Sequence, residues 1–188
     1  PDALHIQGES LLRNGIVGSL LTRHLGQSMP IGYLPDTFGF NAQMPVILRQ
    51  LGLNRFLFWR GIDPKKVSSF YFNWDSLGGG ATVQAVSMPQ GYGTGMLLAP
   101  TREYVDGRLD KAINFIAETI PNTPDNILIP SGNDQMNIVA DIEEKIQEIN
   151  SIGKYSYKIG TYQDFFDSLD YKELPHYKGE LIDPVFAR

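Results

Sequence analysis

The sequence predicts an α/β fold whose strands are mostly parallel. Two observations support this fold class: segments with the apolar spacing of helices alternate with short apolar runs, and a helical segment separates most successive runs. Strands joined through helices run in the same direction, because the crossover returns the chain to the same end of the sheet. The 188 residues are enough for one domain with a core, and no repeat or linker divides them.

The first half of the chain is predicted to begin with an amphipathic helix near residues 8–24, which Gly26 ends. A buried strand near 30–34 follows, and then a helix around 42–51 that Gly52 ends. The apolar face of the first helix consists of Leu11, Leu12, Ile16, Leu20 and Leu21.

A predicted hairpin in the middle of the chain interrupts this alternation. A short buried strand at 55–60 is followed by strands at 67–74 and 81–86, and residues 77–80 supply a glycine-containing turn between the last two. The loop 89–95 contains three glycines, which indicates either flexibility or the close approach of another backbone segment.

The second half returns to alternating helices and strands, and it ends in a tail that is predicted to be irregular. The apolar stripe Ile138, Ile142, Ile146 and Ile149 defines one of these helices. The predicted helices are 109–117, 138–149 and 161–169, the predicted strands are 126–130 and 155–160, and the tail is 170–188.

Charge and composition exclude several classes of partner. The chain has 16 basic and 21 acidic side chains, a net charge of −5, and no basic cluster, which argues against nucleic acid and against an anionic membrane surface. No apolar run reaches the ~18 residues that a membrane span needs. The absence of cysteine is compatible with a reducing compartment, so a cytoplasmic location is predicted. Because the chain begins with Pro1, we expect it to be a piece of a longer protein.

The segment around Asp36 is the strongest candidate for chemistry. The apolar residues 31–34 are typical of a buried strand end, and Pro35 stops the strand. Asp36 therefore lies at the carboxyl edge of a strand, where α/β folds place their functional groups. Phe38 and Phe40 are unusual in a short polar loop. On these residues alone, a buried aspartate that merely holds a turn is an equally good interpretation.

Residues 32–53 and 56–61 resemble the nucleophile motif of glycoside hydrolase family 38, the retaining α-mannosidases, in its bacterial form. Residues 8–14, 130–135 and 177–181 resemble further segments of the same family. The resemblance covers nearly all of the chain but only part of the family's catalytic domain. It implies that the predicted sheet is part of a seven-stranded (β/α) barrel and that residues 1–188 are a single, incomplete catalytic domain.

The resemblance implies a role for two aspartates. Retaining glycosidases use one carboxylate as nucleophile and a second group as acid and base. Asp36 corresponds to the nucleophile, which in the family also binds a divalent metal, usually zinc. Asp134 corresponds to the acid/base, and its motif is shorter. Since the carboxyl ends of parallel strands share one edge, both could reach the same site. From composition alone, Asp134 in Ser-Gly-Asn-Asp is favoured as a turn residue.

The resemblance also implies substrate contacts. Phe38 would lie against the sugar, with core packing as the alternative. Arg60 would lie near the nucleophile and favour its ionised form, with a surface ion pair to Asp63 as the alternative. Tyr92 could contact substrate from the glycine-rich loop. Trp59 is as consistent with a buried core residue as with a sugar platform.

The histidines indicate that the metal site is incomplete. The chain contains only His5, His24 and His176, and none belongs to the His-x-Asp motif of the family. His24 is better explained by a helix end, where a cation is favoured. We therefore expect Asp36 to be the metal ligand that this chain supplies, with the other ligands outside it.

Two functions from different classes remain. One is a catalytic piece of an α-mannosidase that acts on mannose-containing oligosaccharides, in an enzyme that could be a homo-oligomer. The other is a non-catalytic fragment with at most weak sugar binding. A metal-dependent polysaccharide deacetylase is a weaker option, because the sequence lacks an Asp-Asp pair and a His-x-x-x-His motif.

Overall fold

The structure is a computed structural model that describes residues 2–120 and 124–183. It divides into two compact units. The first unit runs to Pro89 and resumes at Asp170, and the second spans Gln90–Leu169. The prediction of a single domain stays a prediction. No helix in the described ranges is both long enough and apolar enough to cross a bilayer.

The first unit contains a five-stranded sheet with the order β1-β2-β4-β3-β5. Neighbouring strands are parallel in every pair except β3–β4, which forms the predicted hairpin. The mixed α/β class with mostly parallel strands is confirmed, whereas the seven-stranded barrel stays a prediction. The strands are β1 Gly32–Leu34, β2 Arg55–Phe58, β3 Tyr71–Asp75, β4 Thr82–Ser87 and β5 His176–Lys178.

One helix precedes β1 and another follows it. Helix α1 spans Gly8–His24 and α2 spans Met44–Gln50, close to the predicted bounds. Gly26 and Gly52 follow these helices with φ angles of +125° and +77°, so both glycines act as the predicted helix stops. The apolar face of α1 is only partly packed: Leu11 is buried, but Ile16, Leu20 and Leu21 are more than half exposed.

The core of the first unit is a cluster of aromatic rings between the strands. Phe40 lies edge-on to Phe56 and Phe58, with ring centroids 5.0 and 5.5 Å apart. Trp74 packs beside Phe56 and donates its indole N–H to the carbonyl of Gly179 at 3.0 Å. All of these rings are fully buried. Edge-to-face packing of this kind adds to the stabilisation from apolar burial.

The tail is more regular than predicted. Residues His176–Lys178 form β5, which pairs in parallel with β3. Beyond it, Leu181 bridges Phe40 and Asp183 bridges Gly61. The backbone of β3 would otherwise present an open edge, and the tail supplies the hydrogen-bonding partner. Residues 184–188 lie outside the described part of the chain.

The second unit is built from helices. It contains α3 Arg102–Tyr104, a π-helical segment Val105–Asp110, α4 Lys111–Ala117, α5 Ile142–Ile152 and α6 Tyr162–Asp167. Its core consists of Leu98, Val105, Leu109 and Ile149. The predicted cap of α6 is confirmed, because Thr161 and Asp164 form a reciprocal capping box. The predicted stripe of α5 begins too early, because Ile138 precedes the helix and is 94% exposed.

Two predicted strands are wrong. Residues 126–130 and 155–160 form no strand in the structure. The Asn150 side chain accepts the N–H of Tyr157 at 2.7 Å and donates to its carbonyl at 2.9 Å, so a side chain takes the place of a neighbouring strand. The Tyr157 hydroxyl donates to buried Asp110 at 2.6 Å. Burial and the Asp110 carboxylate raise the pKa of Tyr157, so it remains a neutral donor.

Candidate active site

Asp36 lies in the turn that follows β1, as the sequence predicted. Pro35 supplies no N–H to continue the strand, and the Asp36 carboxylate is exposed rather than buried. Its Oδ1 atom accepts the Nε–H of Arg60 at 2.5 Å. Arg60 follows β2, and since β1 and β2 are parallel neighbours, the two side chains leave the sheet at the same end. The interpretation of Asp36 as a buried turn residue is therefore wrong.

Arg60 is held between the carboxylate and two aromatic rings. Its guanidinium carbon lies 3.7 Å from the centroid of the Trp59 ring and 4.7 Å from that of Phe38. The Arg60 side chain is only 13% exposed, which strengthens its pairing with Asp36 relative to a fully solvated pair. Asp63, the alternative partner of Arg60, lies 3.6 Å from the amino group of Lys66.

Phe38 and Phe40 have opposite roles in the same loop. Phe38 is 57% exposed, so the core-packing interpretation is wrong for this residue. Phe40 is fully buried and exchanges two backbone hydrogen bonds with Leu181, at 2.7 and 3.0 Å. The buried ring fixes the loop and leaves Phe38 on its surface, beside Arg60.

Sequence reasoning missed the segment 181–183, which secures the loops carrying Asp36 and Arg60. Gly39 and Gly61 have φ angles of +146° and +110°, and a Cβ atom at either would lie 2.8 or 2.5 Å from the Leu181 carbonyl oxygen. Only glycine allows this approach. The available signal was the glycine that directly follows each predicted functional position, Phe38-Gly39 and Arg60-Gly61.

Asp134 and Tyr92 meet in the second unit. Asp134 lies in an exposed turn rather than at the end of a strand, and its Oδ2 atom accepts the Tyr92 hydroxyl at 2.9 Å. Its turn position agrees with the composition of Ser-Gly-Asn-Asp. The sequence predicted both residues for the site but not their contact. Asp36 belongs to the first unit and Asp134 to the second.

The described residues do not fit a complete metal centre. Within residues 2–120 and 124–183, no three His, Cys, Asp or Glu side chains are grouped to hold an ion. His24 lies in the last turn of α1, as predicted. His176 Nδ1 lies 2.9 Å from Asp75 Oδ2, and His5 lies 3.8 Å from Asp2. Asp36 alone is not a binding site for a metal ion.

Comparisons with known proteins show which family the chain is similar to. The family model described as "Glycosyl hydrolases family 38 N-terminal domain" matches residues 1–180. The alpha-mannosidase of Saccharomyces cerevisiae is 38% identical over 77 residues, which cover 38% of this chain and 7% of that protein. Human alpha-mannosidase 2C1 is 30% identical over 97 residues, which cover 42% of this chain and 9% of that protein.

A solved structure shows the same fold. The alpha-mannosidase from Enterococcus faecalis V583 matches with a TM-score of 0.78 at 22% identity, covering 94% of this chain and 20% of that one. The chain belongs to glycoside hydrolase family 38, since the family model covers nearly all of it. It spans less than a tenth of the length of the two curated relatives and a fifth of the solved chain.

Proposed function

We propose that this chain is part of the catalytic domain of a retaining α-mannosidase, which hydrolyses terminal α-linked mannose. The observation that carries the proposal is the Asp36–Arg60 pair after two parallel strands, in a chain of this family. An exposed carboxylate against a nearly buried guanidinium is suited to act as an anionic nucleophile. The guanidinium supplies a fixed counter-charge and leaves Oδ2 of Asp36 available to substrate.

The first chemical step would be attack by a carboxylate oxygen of Asp36 on the anomeric carbon of the mannoside. The bond from that carbon to the leaving oxygen breaks, and the protonated carboxyl of Asp134 gives its proton to the leaving oxygen. The products are the free alcohol, a covalent mannosyl ester of Asp36 and an ionised Asp134.

The second step would reverse the roles of the same atoms. Ionised Asp134 takes a proton from water while the water oxygen attacks the anomeric carbon, and the ester bond to Asp36 breaks. Asp36 is released as a carboxylate and Asp134 again carries a proton. Two inversions at the same carbon give a product with the configuration of the substrate.

Substrate contacts are proposed for the aromatic and cationic side chains beside the two carboxylates. The exposed ring of Phe38 offers an apolar face for a sugar, and Arg60 fixes that ring through its guanidinium. Tyr92 would reach substrate next to Asp134. Mannose-containing oligosaccharides are the substrate class that this proposal implies.

The metal, the barrel and the location also belong to the proposal. We propose that a divalent ion, zinc in the first place, binds Asp36 together with ligands outside this chain. The ion would orient sugar hydroxyl groups when bound. The five-stranded sheet would be part of a seven-stranded barrel, and the absence of cysteine favours the cytoplasm.

The test is the Asp36→Asn variant of the full-length enzyme that contains this chain. We expect kcat/KM on an aryl α-mannoside to fall at least ~10³-fold, because the neutral amide is a poor nucleophile while its shape is preserved. Proton NMR of the wild-type reaction should show α-mannose as the first product. Asp63→Asn is the control, because Asp63 follows β2, the strand beside the one that precedes Asp36, and pairs with Lys66.

Turnover retained by Asp36→Asn, or an inverted first product, would refute the proposal. The alternative, a non-catalytic fragment with weak sugar binding, is distinguished by assaying residues 1–188 beside the full-length enzyme. The small share of each relative that this chain spans favours activity only in the full-length enzyme.

A further inference from the structure

The carboxylate of Asp134 is oriented by a hydrogen bond from one loop. The Tyr92 hydroxyl donates to Oδ2 at 2.9 Å, and this leaves Oδ1 free to carry the proton that an acid/base must transfer. Asp134 itself is exposed and lies in a turn, where neighbouring packing does little to fix its side chain. The position of the Tyr92 hydroxyl therefore decides where the Asp134 carboxylate points.

The loop that carries Tyr92 is fixed against the segment before Asp134. The N–H of Gly95 donates to the carbonyl of Pro130 at 2.7 Å, and the Ser131 hydroxyl donates to the carbonyl of Gly95 at 3.2 Å. A Cβ atom at Gly95 would lie 3.0 Å from the Pro130 carbonyl oxygen. Gly95 therefore serves a close backbone approach, one of the two predicted alternatives.

Arg108 holds this loop from the π-helical segment. Its Nε donates to the carbonyl of Thr94 at 2.6 Å and its Nη2 donates to the carbonyl of Gly93 at 2.8 Å. The two acceptors are consecutive carbonyls, one and two residues after Tyr92. A planar guanidinium can bind both at once, whereas a lysine amino group has no such fork.

The backbone that follows the carbonyls bound by Arg108 is in a rarely populated conformation. Leu97 and Leu98 have φ angles of 71° and 42°, in a region that residues other than glycine rarely adopt. Tyr104 donates to the carbonyl of Met96 at 2.5 Å, from the helix that precedes the π segment. Such a conformation persists only where contacts enforce it; Tyr104 supplies one at Met96, and Arg108 binds the carbonyls of Gly93 and Thr94 before it.

We propose that Arg108 is a positioning residue for general acid catalysis: by binding the carbonyls of Gly93 and Thr94, it fixes the Tyr92 hydroxyl and, through it, the carboxyl of Asp134. This inference rests on the proposed function, in which Asp134 is the acid/base. Arg108 does not touch the reacting atoms, and we expect its effect to pass through Tyr92.

The experiment compares two α-mannosides in the full-length enzyme, one with a poor leaving group and one with a highly activated leaving group. Protonation matters for the first and hardly for the second. We expect Arg108→Gln to lower kcat/KM about 10- to 100-fold on the poor leaving group and less than about 3-fold on the activated one. Tyr92→Phe should show the same selectivity, and the double variant should be no worse than the more impaired single variant.

Three further variants keep the result interpretable. Asp134→Asn is the benchmark and should show the strongest dependence on the leaving group. Arg102→Gln removes an exposed arginine, paired with Asp106 in the same helical stretch, and should leave both rates unchanged. Arg108→Lys, which keeps the charge without the fork, should show the selective loss and serves if Arg108→Gln does not fold.

Failure of this inference is distinguishable from failure of the proposed function. Equal losses on both substrates, or additive effects of Arg108→Gln and Tyr92→Phe, would overturn the positioning role while Asp134→Asn still depends on the leaving group. If Asp134→Asn shows no such dependence, the assignment of the acid/base itself falls, and the positioning role falls with it.

Discussion

Single carboxylates in this chain have different roles because their neighbours differ. The Asp75 carboxylate joins three strands: it accepts the Thr82 hydroxyl at 2.5 Å and lies 2.9 Å from His176 Nδ1. Asp36 accepts Arg60 and stays exposed. Asp134 accepts a hydrogen bond from an uncharged side chain, the hydroxyl of Tyr92. The structural and the candidate catalytic aspartates thus differ in the partner that each one binds.

The Asp75 cluster predicts a loss of stability in acid. Burial raises the pKa of Asp75, but the hydrogen bonds from Thr82 and His176 and the charges of His176 and Lys178 outweigh it, so the net pKa lies below its ordinary value of 3.8. Because the folded state lowers the pKa of Asp75, its ionised carboxylate stabilises the protein at pH values above the ordinary pKa. This contribution is lost as the pH falls through the lowered pKa of the folded state.

Asp75→Asn should therefore destabilise the chain by ~0.5–1 kcal/mol at pH 6, with the difference from wild type shrinking as the pH falls below 3.8. Urea unfolding at several pH values measures it. Glu148→Gln, at an exposed position on α5 of the second unit, is the control for loss of one carboxylate. A difference that grows in acid would contradict the assignment.

At the scale of elements, short loops after β1 and β2 determine where the candidate nucleophile lies. Their anchor is the segment 181–183, which is distant in sequence and forms bridges with Phe40 and Gly61. The strands set the direction in which each loop leaves the sheet. The segment 181–183 then holds the two loops through its bridges at Phe40 and Gly61. A small change at one of these glycines should therefore affect both stability and the Asp36 site.

Gly61→Ala should destabilise the chain by ~3 kcal/mol or more, because the new Cβ would lie 2.5 Å from the Leu181 carbonyl oxygen and the φ angle of +110° disfavours any side chain. Gly26→Ala is the matched control: its φ angle is +125°, but no atom lies within 4 Å of the new Cβ.

The difference between the two glycine variants in urea unfolding isolates the clash from the backbone strain. Equal destabilisation by both would mean that the segment 181–183 moves away at little cost. That result would show that the segment 181–183 does not hold the loop of Arg60.

At the scale of the whole molecule, the chain supplies an α/β fold and several candidate catalytic residues. Its described residues contain no metal centre. Its family membership rests on residues 1–180, and its relatives are much longer. The proposed metal therefore depends on ligands outside this chain, and metal effects should differ between the chain and the enzyme that contains it.

Chelation should separate these two cases. We expect removal of divalent metal to lower the kcat of the full-length enzyme at least ~10-fold, with recovery on adding zinc, because the ion would orient the sugar for attack. The melting temperature of residues 1–188 should not change with chelator or zinc. A zinc-dependent rise in that temperature would show that the chain binds the ion by itself.

Local sequence determined most of the elements and the position of Asp36, whereas the roles expected for Asp134, Arg60 and Phe38 came from the resemblance to the family. Periodicity placed α1 and α2, the glycine turn placed the β3–β4 hairpin, and the apolar run before Pro35 placed Asp36 at a strand end. These features depend on neighbours within a few residues, so the sequence shows them directly.

Tertiary structure decided which groups meet. Residues 126–130 and 155–160 have strand-like sequences but form no strand, and the Asn150 side chain binds the backbone of Tyr157 instead. The pairings of Asp36 with Arg60 and of Tyr92 with Asp134 join residues 24 and 42 positions apart. Such contacts depend on the register of strands and the closure of loops, which no local pattern encodes.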